Sequence, residues 1–365
     1  MSGCAWRMDD LEQQSSRRGD CACRPRRRHA IFWREHFCDL LANFTKSAWA
    51  SGSRRSWRAA QRARSRMKTA ALENPNLAPS RSHVIGDLAE LVKARLTLLV
   101  LLTTAVGFYL GSETPINYMA LFHVVFGTAA AAAGAAALNQ WWERRADALM
   151  RRTRTRPIPA GRMRPLQAFI LGIVLSVFGV GYLAIVCNAL SAALAAITIA
   201  IYILAYTPLK RASTANTAVG AIPGAIPPMI GWAAARGSIG AGAWSLFAIV
   251  FLWQLPHFFA IAWMYREDYS RAGFRMISSD DRSGERSASQ SVFFCILLLV
   301  IAGLPAFLGI ANFVYLGVEL LLGGLFTAVA MRFLRIRNAT AARSLFIASI
   351  VYLPVLLGAL VLTKS

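Results

Sequence analysis

Acidic residues are scarce in this 365-residue chain: 18 Asp and Glu stand against 40 Lys and Arg, a formal net charge of +22. Cysteine is also sparse. Cys4, Cys21, Cys23 and Cys38 fall near the N-terminus, Cys187 and Cys295 in or near apolar stretches, and none has a spacing that makes a zinc site. The first eighty residues lack any sustained apolar run, which excludes a secretory signal peptide. Long polar stretches are missing after residue 88, which leaves little room for a soluble domain there.

What fills that region is apolar. Hydrophobic residues make up 56% of the chain, too many for an ordinary soluble protein. Nine runs are long enough to cross a bilayer, roughly 90–111, 116–140, 166–186, 188–206, 216–234, 243–264, 290–311, 313–333 and 344–363. The expected fold class is therefore all-α and polytopic. In a soluble protein the excess charge would suggest nucleic acid. Here the basic residues cluster in alternate loops, at Arg144 to Arg164, Lys210–Arg211, Arg266 to Arg286 and Arg332 to Arg343. That pattern signals topology and no nucleic-acid partner. The positive-inside rule puts these loops and the N-terminus in the cytoplasm and the C-terminus outside.

Residues 1–80 are a separate, basic, Arg- and Ser-rich extension, expected to have low local order. Mitochondrial targeting and binding to anionic lipid are alternative uses for it. Met67 opens a stretch that looks like a natural start, so function is expected in 84–365.

Within that domain, LNQWWERRADALMRRTRTRPIPAGRM at 138–163 carries Asn139, Glu143 and Asp147, then Arg151, Arg152, Arg154 and Arg156. Steps of four keep helical side chains on one face, each about 6 Å further along the axis. An amide and two carboxylates thus line up at the end of the second span, with Asp147 expected as an exposed ligand. Such a set suits a Mg²⁺-bound diphosphate: carboxylate oxygens for the metal, guanidinium groups for the phosphate oxygens. Asp268, in REDYSR, follows the sixth span, and Lys210 and Arg211 follow the fourth. All three are even-numbered spans, so parity alone places these groups on one face.

His257 lies within the sixth span, about 16 Å deeper than Asp268 along an uninterrupted helix. An imidazole there can ligate haem iron, act as acid or base, or hydrogen-bond a neighbour. Pro256 favours a kink, and Gln254 shares or nearly shares the face. His123 is expected to pack only. Gly220, Gly224, Pro223, Pro227 and Pro228 make the fifth span either a kinked packing helix or a cavity wall. Lys93 and Arg95 are expected chiefly as snorkelling anchors.

NQWWERRAD…RTRTRPIPAGRM, YTPLKR…NTAVGAIPGAIPPMIGW and WQLPHFFAIAWMYREDYSRAGF together resemble the UbiA superfamily of intramembrane prenyltransferases, and within it the haem O synthase branch. The resemblance covers essentially all of 88–365. Three departures stand out: Glu143 within the first motif, Met264 where the second motif usually has an aspartate, and Lys93-Ala94-Arg95 where Lys-Pro-Arg is common. The first two resemble the haem branch.

The resemblance implies nine helices around a central cavity, with farnesyl diphosphate as donor and haem B as acceptor, giving haem O for haem-copper oxidases. It implies Mg²⁺ held by Asn139, Glu143, Asp147 and Asp268, a diphosphate clamp of Arg154, Arg156, Lys210 and Arg211, and His257 orienting haem. A haem A synthase or an oxidase-assembly factor is an expected partner. The expected location is the bacterial plasma membrane, with the mitochondrial inner membrane as alternative. Competing readings are prenylation of another aromatic acceptor, a secondary transporter and an assembly subunit.

Overall fold

The computed structural model describes residues 81–365, so the basic extension lies outside the described residues. Nine helices among them are long and apolar enough to cross a membrane. They are α1 (Ala94–Gly111), α2 (Tyr118–Asp147), α3 (Pro165–Cys187), α4 (Ala189–Ala212), α5 (Asn216–Arg236), α6 (Ala241–Met264), α7 (Glu285–Phe307), α8 (Phe313–Ile336) and α9 (Ala339–Leu362). A shorter helix, Arg81–Leu91, precedes them. No strand occurs among the described residues; the one β-type contact is an isolated bridge between Ala311 and Lys364. The expected number of spans and the all-α class hold.

Asparagine starts four of the spans. Asn117, Asn188, Asn312 and Asn338 each accept a first-turn amide through the side chain. Such caps satisfy donors that a helix leaves orphaned at its start. The small residues of α2 let α3 approach until a Cβ on Gly134 would meet Ser176 Oγ at 2.4 Å. The contact between α1 and α5 is tighter: a Cβ on Gly231 would lie 1.9 Å from the Thr104 carbonyl oxygen. With little hydrophobic drive between helices in lipid, such backbone approach is the main source of helix association.

Three departures from regular helix shape the interior. A π segment, Ile201–Tyr206, interrupts α4 and stacks the Tyr202 and Tyr206 rings 5.5 Å apart. Isolated π turns of this kind are frequent at functional sites. In α5 the regular helix stops at Ala225 and restarts at Pro227. α6 carries Pro256 inside a continuous helix, then stops at Met264; Tyr265 leaves helical geometry, and Arg266–Arg271 forms a separate short helix. Asp268 is therefore not on an uninterrupted continuation of α6.

Candidate functional site

Six of the nine spans, α1, α2, α4, α5, α6 and α9, surround a cavity of about 380 Å³, within the usual range for small-molecule sites. One end is ionic. Glu143, Asp147, Arg152, Arg156 and Lys210 line it, with Lys93 from the junction before α1. These positions all belong to the basic-loop face. Deeper in, the wall is Tyr202, Tyr206, Gln254, Trp253, His257 and apolar side chains. A second recess of about 580 Å³ lies at the opposite end, lined by Glu113, Arg236 and Lys364, away from the paired carboxylates.

The two carboxylates of α2 each face a cation. Lys210 Nζ donates to Glu143 Oε1 at 2.7 Å. Arg156 Nη1 reaches both Asp147 oxygens, at 2.8 and 2.9 Å. Asp147 is fully buried, contrary to the expected exposed ligand. Thr153 Oγ1 donates to its backbone carbonyl at 2.9 Å and folds the arginine-bearing loop back over the helix end. That turn is what brings Arg156 inward.

Lys93 is more than an anchor. It adopts left-handed backbone geometry, φ 50°, between two helices. Its Nζ donates to Asn139 Oδ1 at 2.6 Å and to Tyr202 Oη at 3.1 Å. Burial, and after it the nearby Arg156 guanidinium, push the Lys93 ammonium down to about 7. An arriving anion favours its charged form. Arg152 spans the mouth, its guanidinium 4.9 Å from the Tyr265 ring and 5.9 Å from Tyr269. Among the described residues neither Lys93 nor Arg152 has a carboxylate within ion-pair distance. Four basic groups against two carboxylates leave Lys93 and Arg152 without a carboxylate partner at the end of an apolar cavity.

Of the residues singled out in the sequence, Glu143, Asp147, Arg156, Lys210 and His257 line the cavity. Asn139 is buried just behind it, held by Lys93 and by a 3.1 Å bond from its amide nitrogen to Thr207 Oγ1. Asp268 is buried against Arg271 and does not reach the lining; its neighbour Tyr269 does. Arg154 and Arg211 are exposed and are not part of the lining. Tyr202 and Tyr206 were missed in the sequence, and Arg152, named there in the arginine loop, was not among the four clamp residues. The two tyrosines, four apart just before TPLKR, were the available signal.

His257 sits halfway down the cavity wall. Its Nδ1 lies 2.7 Å from Ser349 Oγ on α9, and its ring lies between Trp253 and Phe346. His123 packs in an aromatic cluster with Phe122, Phe126 and Tyr182, away from the cavity. Gly220, Gly224, Pro223 and Pro227 form part of the wall, which favours the cavity reading of α5.

Chemically, the ionic end offers carboxylate oxygens one turn apart beside four basic side chains. Among the described residues no three His, Cys, Asp or Glu side chains converge as a metal cage. Two carboxylates are what Mg²⁺ commonly takes from a protein, the rest of its coordination coming from substrate phosphates and water.

Comparison with known proteins agrees with this geometry. A protoheme IX farnesyltransferase from Solibacter usitatus (strain Ellin6076) is 42% identical over 287 residues, 76% of this chain and 98% of its own. One from Opitutus terrae (strain DSM 11246 / JCM 15787 / PB90-1) is 43% identical over 288 residues, 78% and 97% of the respective chains. Among solved structures, that of a digeranylgeranylglyceryl phosphate synthase superposes with a TM-score of 0.65 at 16% identity, covering 76% of this chain and 98% of that one. A UbiA homologue from Archaeoglobus fulgidus bound to DMAPP and Mg²⁺ superposes with a TM-score of 0.56 at 14% identity, covering 75% and 99%. At such identities the structural likeness speaks for the fold. The profile of the UbiA prenyltransferase family matches residues 100–353. With most of the chain matched and the helical arrangement shared, this protein belongs to the UbiA prenyltransferase family.

Proposed function

We propose that this chain transfers the farnesyl group of farnesyl diphosphate to a vinyl group of haem B, with addition of water, giving haem O. The observation that carries the reading is its likeness to protoheme IX farnesyltransferases over nearly their whole length. The cavity supports it: a cationic end suited to diphosphate opens into an apolar space suited to a prenyl tail.

Lys93, Arg152, Arg156 and Lys210 bind the diphosphate oxygens. Glu143 and Asp147 are the residues that would hold Mg²⁺. Asn139 and Asp268 join them only if Lys93 and Arg271 release their oxygens. A bound Mg²⁺ supplies Lewis-acid neutralisation of the leaving group. As the allylic C–O bond breaks, negative charge grows on the departing diphosphate, which the cations of this end neutralise. The Tyr202 and Tyr206 rings stand between that ionic end and the deeper cavity. Lys93 Nζ lies 5.7 Å from the Tyr202 ring and Lys210 Nζ 4.4 Å from the Tyr206 ring, so the stacked pair holds the two ammonium groups at that end. The apolar wall keeps bulk water from quenching the cation. The new carbon–carbon bond forms to the vinyl terminus. Water then adds at the other vinyl carbon and loses its proton, so haem B, farnesyl diphosphate and water give haem O, diphosphate and a proton. His257 orients the acceptor.

The chain is a multi-pass membrane protein, and its basic face is proposed to be cytoplasmic in a bacterial plasma membrane. A haem A synthase or oxidase-assembly factor would receive the product. The test is to incubate the purified full chain with haem B, farnesyl diphosphate and Mg²⁺, and to weigh the haem. A gain of one farnesyl group plus water supports the proposal. Released diphosphate with unchanged haem means a different acceptor. No reaction in a folded, substrate-loaded sample rejects prenyl transfer.

A further inference from the structure

Ser349 lies on α9 with its side chain fully buried, and two groups of α6 converge on it. Trp253 Nε1 donates to its backbone carbonyl at 2.7 Å. One turn on, His257 Nδ1 lies 2.7 Å from its Oγ. The same Oγ is 2.6 Å from the carbonyl oxygen of Phe346.

These contacts fix where the protons are. Two oxygens 2.6 Å apart need a hydrogen between them. A carbonyl has none to give, so the hydroxyl hydrogen of Ser349 points to Phe346. A hydroxyl has only one hydrogen. Toward His257, Ser349 Oγ is therefore an acceptor, and the 2.7 Å contact is a hydrogen bond only when Nδ1 carries the proton. In a neutral imidazole that leaves Nε2 with its lone pair.

The ring cannot easily turn to exchange the two nitrogens. Trp253 stacks on it with centroids 5.3 Å apart, and Phe346 lies at 5.0 Å. Nε2 has no hydrogen-bond partner among the described residues, yet it is not one of the sealed, unpartnered polar atoms of the interior. His257 lines the cavity, so the lone pair is accessible there.

We infer that Ser349 is a positioning residue that fixes the Nδ1–H tautomer of His257 and so presents the Nε2 lone pair to the iron of the haem substrate. The inference rests on the haem reading proposed above. Its chemistry is that of a metal-bound histidine, which donates its other ring N–H to a fixed acceptor. Here the acceptor is a hydroxyl oriented in turn by a helix carbonyl, and the Trp253 bond fastens the same α9 turn to α6.

Two measurements on the full chain test this. The first needs no haem: ¹⁵N spectra of histidine-labelled protein, with the His257 signals identified by their loss in His257→Ala. Nδ1–H with unprotonated Nε2 is expected, and Nε2–H would overturn the inference. The second is haem B titration followed by the Soret band. Removing such a metal-ligand partner costs about 10–100-fold in metal affinity. Ser349→Ala should weaken haem binding by that factor and alter the iron–histidine spectrum, with diphosphate affinity unchanged. Ser349→Thr, which keeps the hydroxyl, should restore the spectrum. Unchanged haem affinity and spectrum in Ser349→Ala would overturn the inference. Identical haem spectra in the unmodified protein and His257→Ala would overturn it too, by removing histidine from the iron. The farnesyl mass gain is measured separately, so failure there with the histidine signature intact counts against farnesyl transfer and not against this assignment.

Discussion

Lys93→Met separates two cations that look alike in the sequence. Lys93 is half-buried, binds Asn139 Oδ1 through Nζ at 2.6 Å and lines the cavity. Arg154 is exposed and does not. Methionine keeps the apolar stem of Lys93 and removes its charge. One hydrogen bond to a charged group contributes about 2 kcal/mol. If Lys93 contacts the diphosphate as it leaves, kcat/KM for farnesyl diphosphate should fall about 30-fold. Arg154→Met should change it less than about 5-fold, since an exposed charge near solvent contributes about 1 kcal/mol at most. Initial rates over a range of farnesyl diphosphate, with product haem weighed at each point, give both numbers. A Lys93→Met enzyme within about 5-fold of the original (the Arg154 limit) would refute the reasoning. So would an Arg154→Met enzyme as impaired as Lys93→Met.

Asp147→Asn should lower turnover by about 100-fold, the scale of losing one preorganised electrostatic group. It should also lower the thermal midpoint, because Arg156 is left facing a neutral amide in a buried site. A thermal scan beside the rate assay reads both, and an unchanged rate would remove Asp147 from the site. Gly231→Ala should destabilise the protein by about 1–3 kcal/mol without touching the ionic end, since the added carbon meets the Thr104 backbone. Chemical denaturation in detergent checks it, and a neutral result would mean that α1 and α5 separate freely.

The spans were legible because each needs about 20 apolar residues, a signal that tertiary packing does not obscure. Parity then gathered the ends of α2, α4 and α6 on one face, and Glu143, Asp147 and Lys210 do meet there. Direction was harder to read. A step of four residues turns a helix about 40° beyond one full circle. Over the eight residues from Asn139 to Asp147 that drift is about 80°, enough to leave Asn139 behind the wall that Asp147 faces. The arginine loop has no period, so nothing in RRTRTR told Arg152 and Arg156 from Arg154; the Thr153 bond to the Asp147 carbonyl decides it. Asp268 eluded extrapolation because the helix breaks at Tyr265. Lys93 turns inward through a left-handed residue that nothing in Val-Lys-Ala announces.

The ion pairs carry a consequence for ligand binding. Glu143 and Asp147 are buried carboxylates whose charges Lys210 and Arg156 balance. A bare Mg²⁺ must compete with those cations for the same oxygens. A bare diphosphate must likewise compete with the carboxylates for Lys210 and Arg156. If diphosphate draws the two cations toward its own oxygens, the carboxylate lone pairs would be released for a metal. Each ligand would then prepare the site of the other, and linkage would make the effect reciprocal. Couplings of this kind are typically about 1–3 kcal/mol, or about 5–150-fold in affinity. Calorimetric titration of the full chain with Mg²⁺, without and then with saturating inorganic diphosphate, should show a tightening in that range beyond the affinity of Mg²⁺ for diphosphate in solution. Titration in the reverse order should give the same factor. Equal Mg²⁺ affinity in both titrations would mean that the carboxylates do not wait on the cations, and that Glu143 and Asp147 serve only to hold Lys210 and Arg156 in place.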